Sequence, residues 1–133
     1  MIRLTKPEES QQVIEWISTT PNNGYDPDVL GYESTITFCA ERDKPIMYLP
    51  IQVTLTLESL GRNPEATHRE TVLALNEMLE KVKEFAKAGG IREIYFLSCE
   101  KGTIKQAEKF GFHRVMEDRD KGMVLFNMKV ANG

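Results

Sequence analysis

The rhythm of apolar and polar positions changes several times along this chain, and each change predicts an element. Ile2-Arg3-Leu4-Thr5 reads as a short first strand. Pro7-Glu8-Glu9 suits a first helical turn, because a proline there needs no amide partner and acids favour the positive helix end. Val13, Ile14, Trp16 and Ile17 then give that helix an apolar face. Residues 19–28 hold two Pro, two Asn and a Gly, which predicts a loop. A helical turn is expected around Val29 and Leu30. Residues 34–40 alternate and are rich in β-formers, so they form a strand. Glu41-Arg42-Asp43-Lys44-Pro45 is a polar hairpin turn, and Ile46 to Leu49 the next strand. Val53, Leu55 and Leu57 alternate with polar residues and mark a further strand. Pro50 separates the two and fits a bend or a sheet edge, since it has no N–H to give a ladder.

The clearest stretch follows the loop Gly61-Arg62-Asn63-Pro64. Val72, Leu75, Leu79, Val82 and Ala86 recur at i, i+3, i+4 spacing, and Met78 and Phe85 widen the stripe. Trp16 and Phe110 fit core stripes likewise. Glu77 and Lys81 form an i, i+4 pair. Lys87 in the last turn and Gly89 beyond it mark the helix end. Ile91 to Ser98 is a strand, Thr103 to Phe110 a short helix. Phe112 to Met116 and Met123 to Val130 are two last strands around the solvated turn at Asp118 to Gly122. The order β-α-(α)-β-β-β-α-β-α-β-β predicts a mostly antiparallel sheet with helices on its faces. The strand–helix–strand stretch from Val53 to Ser98 is a crossover, which requires one parallel pair mid-sheet.

Composition narrows the classes. At 133 residues the chain is one domain with enough length for a core. Hydrophobic residues at 41% and charged ones at 28% exclude wholesale disorder. Seventeen Lys+Arg against twenty Asp+Glu give a net charge of −3, which argues against nucleic acid. No apolar run is long enough for a membrane span, and the N-terminus lacks the apolar stretch of a signal peptide. Cys39 and Cys99 read as free thiols of a reducing compartment, the cytoplasm. With only His68 and His113 besides, no zinc set is present and no metal site is expected.

Several stretches together resemble the GNAT superfamily, the GCN5-related N-acetyltransferases. Ile2-Arg3-Leu4-Thr5-Lys6-Pro7-Glu8-Glu9 is similar to its first strand and helix start. Ala40-Glu41-Arg42-Asp43-Lys44-Pro45-Ile46 resembles the turn between its second and third strands. Most specific is Glu108-Lys109-Phe110-Gly111-Phe112, similar to the E-K-L-G-F ending of its fourth helix. The resemblance covers nearly the whole length. It implies an α/β fold with a mixed, mostly antiparallel central sheet and helices on both faces. It also implies a single domain over residues 1–133 and an acyltransferase moving an acyl group from acetyl-CoA or another acyl-CoA to an amine.

In that family the cofactor pyrophosphate sits on a loop of pattern R/Q-x-x-G-x-G/A opening the long helix. Backbone N–H groups and the positive helix end hold the anion, and glycines allow close approach. The matching stretch here is Thr67-His68-Arg69-Glu70-Thr71-Val72. The leading position is Thr67, and the glycine positions are Glu70 and Val72. Thr67-x-x-Glu70 is instead a capping box. With Glu65 close by, Glu70 sets negative charge where the pyrophosphate would lie, and His68 and Arg69 offset it. The resemblance assigns cofactor contacts to Leu60, Arg62, Thr67, His68, Arg69 and Glu70, with binding weakened or lost. The tyrosine that the family uses as an acid in its fourth helix is Ala107 here, and its asparagine is Glu100.

Glu58, near the end of the fourth strand, or Glu100, at the end of the fifth, is the candidate base through water; Glu58 also reads as a solvent-facing carboxylate on a half-buried strand. Cys99 could act as a thiol nucleophile, but reads more simply as a buried inert thiol. His113 reads as an edge histidine. Two functions follow. One is the acyltransferase, with a small-molecule or protein amine as acceptor. The other is a non-catalytic binding or assembly module with a protein partner or a homo-oligomer. The eroded signature is similar to compact bacteriophage relatives, which suits an accessory or virion-assembly role.

Overall fold

Twelve short elements follow the predicted order in the computed structural model, which describes residues 1–20 and 24–131. The loop expected over 19–28 therefore lies partly, at 21–23, outside the described residues. Strands β1 (Ile2–Leu4), β2 (Thr35–Glu41) and β3 (Pro45–Gln52) form an antiparallel sheet in the order β1-β2-β3. Strands β4 (Leu55–Leu57), β5 (Glu93–Ser98), β6 (His113–Asp118) and β7 (Met123–Lys129) form a second sheet in the order β4-β5-β7-β6. Every pairing is antiparallel except β4 with β5. The α/β class with a mixed, mostly antiparallel arrangement holds as expected, and the crossover gives its parallel pair, but at the end of the second sheet, where β4 is terminal, and not mid-sheet. The chain divides into two compact units, Met1–Val53 and Thr54–Gly133. Among the described residues, no helix is long and apolar enough to cross a membrane.

In the first unit, helix α1 (Ser10–Ser18) follows a 3-10 turn at Pro7–Glu9, where the proline was expected to start an α-helix directly. Its Val13 packs with Cys39 and Tyr48, and Ile17 and Leu30 lean on them. The Trp16 and Tyr48 rings lie 4.9 Å apart. A polar cluster ties β1 to this core. Arg3 forks onto the Glu9 carboxylate, at 2.6 and 3.0 Å, and also bonds Glu41. The Tyr48 hydroxyl donates to Glu9 Oε2 at 2.8 Å and lies equally near Gln12. The Arg3 fork and the Lys6 amide hold the Glu9 carboxyl down at about 2, against an ordinary 4.5. Burial, with the Glu9 charge beside it, pushes Tyr48 up to about 12.

This cluster has a pH consequence. The folded chain releases the Glu9 proton more readily than the unfolded one. The stability gained is complete above about 4.5 and drains away as pH falls toward about 2. Glu9→Gln should flatten the decline of Tm across that window in thermal melts. Equal slopes for the two proteins would count against the account.

Strand β3 departs from the prediction at both ends. It runs through Pro50, which pairs with Thr37, instead of stopping there. The proline is tolerated because β3 is the terminal strand of its sheet. The break comes at Val53 and Thr54. The Val53 amide bonds Ser34 O, so Val53 is not part of the next strand, and its side chain is 56% exposed.

In the second unit, helix α2 (His68–Ala88) and helix α3 (Lys101–Phe110) pack on one core with β5 and β7. Leu79, Ala86, Ala107, Ile94, Phe126 and Met128 are among its buried members, and Leu75 and Val82 pack against them. Met78 and Phe85 do not widen this stripe; both are exposed, at 60% and 66%. At about 100° per residue, Phe85 is turned well away from Ala86. Lys81 bonds Glu84 at 3.2 Å in place of the expected Glu77 pair. Gly111 ends α3 with φ of +115°, a left-handed conformation that favours glycine. The next amide, Phe112, then reaches back to Ala107 O at 3.0 Å. The turn drives Phe112 inward, edge-on to Phe96, which is the physical content of the Glu-Lys-Phe-Gly-Phe sequence.

Candidate functional site

The parallel ladder between β4 and β5 is only three residues long: Leu55 with Ile94, Thr56 with Tyr95, Leu57 with Phe96. β5 does not stop there. It continues to Leu97 and Ser98, both still paired with β7. β4 leaves the ladder at Glu58, so Leu97 and Ser98 have no β4 partner. Glu58, Ser59 and Leu60 lie just past this departure and are exposed. Leu97 is 57% exposed.

The start of α2 is the second component. Thr67 Oγ1 accepts from the Glu70 amide at 3.1 Å, and Glu70 Oε1 accepts from the Thr67 amide at 3.0 Å. The expected capping box is present. Both Thr67 bonds hold the Glu70 carboxyl below its ordinary value, so it stays charged at neutral pH. Among the described residues, the backbone amides of His68 and Arg69 have no partner in the first turn, as the geometry of helix starts requires.

The start of α3 is the third. Here Glu100 is the N-cap: its carboxylate accepts from the amides of Gly102 at 2.9 Å and Thr103 at 2.8 Å, and from the Thr103 hydroxyl. These bonds, led by the hydroxyl, hold its pKa down, and Arg62 adds a favourable charge. A Cβ at Gly102 would lie 2.9 Å from Glu100 Oε1, so glycine leaves the carboxylate room. The sequence signal for this cap was an acid followed three residues later by Thr103 at the head of an apolar-periodic run. Position 107, where the family places its tyrosine, is a buried alanine at 4% exposure.

Cys39 and Cys99 are free, as expected, but Cys99 is exposed and not buried. It stands on the wall of an open groove of about 470 Å³ lined also by Lys105, Arg119 and Met123. The residues around it begin α3 and the β6–β7 turn, so no packing covers the thiol. His113 is exposed at the head of β6. Among the described residues, no three His, Cys, Asp or Glu side chains gather as a metal site would need.

No protein-family model matches the chain, and no curated protein matches it. Solved structures do share its fold. A putative GNAT-family acetyltransferase from Desulfovibrio desulfuricans is 15% identical, with 98% of this chain and 99% of that one covered, at a TM-score of 0.51. The aminoglycoside 6'-N-acetyltransferase from Enterococcus faecium is 12% identical, with 100% and 98% covered, at a TM-score of 0.50. The fold is therefore that of the GNAT acetyltransferases, along essentially the full chain.

That fold implies an acyl-CoA, and the α2 start can be tested for it. The bare His68 and Arg69 amides at the positive end of α2 suit an anion. The Glu70 carboxylate at the same helix start opposes one. The helix start thus offers two amides to an anion and sets one resident carboxylate against it.

Proposed function

We propose that this protein is a GNAT-type N-acyltransferase that holds its acyl-CoA weakly, with residues 1–133 acting as one domain in the cytoplasm. The observation that carries the reading is the early end of the β4–β5 ladder. It leaves a stretch of β5 backbone open to an extended ligand arm, beside a helix start with two unpartnered amides. His68, Arg69 and Arg62 hold the diphosphate, with Thr67 and Leu60 flanking it. When bound, the thioester supplies the activated acyl group. Glu58, exposed just past β4, takes the proton of the acceptor amine through water. Glu100 is the poorer base, because three hydrogen bonds already favour its charged form.

Calorimetric titration with acetyl-CoA tests this. Binding is expected in the high-micromolar to millimolar range, and no heat at millimolar ligand would overturn the reading. Glu70→Gln keeps a side-chain oxygen for the Thr67 amide while removing the charge. It should tighten binding about three- to fivefold. Unchanged affinity would sink the proposed opposition by Glu70.

A second reading is favoured by one specific observation. The closed box at Thr67 and Glu70, together with Ala107 in the core, suits a non-catalytic GNAT-fold module that binds a protein partner. The absence of acetyl-CoA binding in the same titration would favour it.

A further inference from the structure

β6 is the terminal strand of its sheet, and all six of its residues are exposed. Among the described residues, nothing pairs with its outer edge. Exposed edges are ordinarily protected by charge and by bulges, and this strand has both. Its charges, however, are arranged in a particular order.

The strand reads His113-Arg114-Val115-Met116-Glu117-Asp118. Laid antiparallel against a second copy centred between Val115 and Met116, it is self-complementary. His113 faces Asp118 of the other copy, Arg114 faces Glu117, and Val115 faces Met116. A parallel, in-register copy would set Arg114 against Arg114 and Glu117 against Glu117, which is unfavourable. The sequence thus selects one orientation. Val115 and Met116 at the centre are 52% and 67% exposed, an apolar pair flanked by charge.

The bulge supports the same arrangement. The ladder to β7 slips between Arg114 and Met116, at the middle of the strand. A two-fold axis through that point relates bulge to bulge, so both copies bend alike. The bulge also turns Arg114 and Glu117 onto one face, where they bond each other, while Arg114 bonds Glu108 at 2.9 Å. Two such pairs meeting head to tail form one four-charge cluster. We propose that β6 joins two copies of this chain by antiparallel edge pairing, His113 to Asp118 and Arg114 to Glu117. The inference does not rest on acyltransfer.

One strand pair is a small contact, so the dimer is concentration-dependent. Light scattering from micromolar to millimolar chain should show the mass rising toward two chains. Arg114→Glu alone sets Glu against Glu117, and Glu117→Arg alone sets Arg against Arg114. Each should weaken dimerisation about tenfold or more. Mixed together, the two variants are complementary at every charged pair and should form a heterodimer. Misfolding of either variant cannot produce that recovery. A wild type that stays monomeric throughout would overturn the proposal. So would a single variant as dimeric as the wild type, or a mixture that does not recover.

Discussion

Phe126→Ala should cost about 3–5 kcal/mol of stability, measured by denaturant unfolding, and lower Tm by roughly 10–20 °C. Phe126 is fully buried on β7, an interior strand of its sheet. Its ring stacks on Phe96 directly across the ladder, with centroids 4.8 Å apart and planes within 17°. Phe96 in turn meets Phe112 edge-on, so one ring anchors β5, β7 and the turn after α3 together. Truncation removes the transfer energy of the ring and leaves a cavity that neither sheet backbone nor two helices can easily close. The loss is a large share of the roughly 5–15 kcal/mol that holds a domain of this size. A loss below about 1 kcal/mol would show that this core is not the one that sustains the second unit.

Glu58→Gln should lower the rate of amine acylation by about 10²–10⁴-fold while leaving acetyl-CoA affinity nearly unchanged. The substitution is isosteric and lies on an exposed side chain beyond the end of β4, so the fold is not at stake. Glu100→Gln should act differently. It weakens the cap that starts α3, and its effect should appear in thermal melts before it appears in turnover. Steady-state assays with a panel of small amines distinguish the two. Equal rates for Glu58→Gln and wild type would remove Glu58 from the chemistry.

Local signals fixed most of the elements. The turn at Gly111, the box at Thr67 and Glu70, and the periodic face of α2 were each legible because the chemistry lies within a few residues. What failed was tertiary. Val53 continues the alternation of Leu55 and Leu57, yet its amide is bonded to Ser34 and it leaves the strand. Met78 and Phe85 are as apolar as Leu79, and only the direction of the packed face separates them. Pro50 was expected at a bend or a sheet edge, and the edge is what holds: its strand runs on through it as the terminal strand of its sheet. At the site, Glu100 was one of two candidate bases, and the cap it forms at the start of α3 was legible in its neighbours but not read. The short β4–β5 ladder had no sequence signature, because strand divergence is set by what each strand pairs with elsewhere.

The box at the start of α2 also changes what a ligand can do for the protein. A helix that opens with bare amides gains integrity when an anion arrives, so cofactor and fold reinforce each other. Here the helix opens with two bare amides, His68 and Arg69, but also carries a counter-ion of its own in Glu70. An incoming phosphate still gains the bare His68 and Arg69 amides but meets that resident carboxylate, so it adds less to α2 than it would at an uncapped start. The start of α2 is thus half provisioned, with a resident carboxylate on one side and two waiting amides on the other.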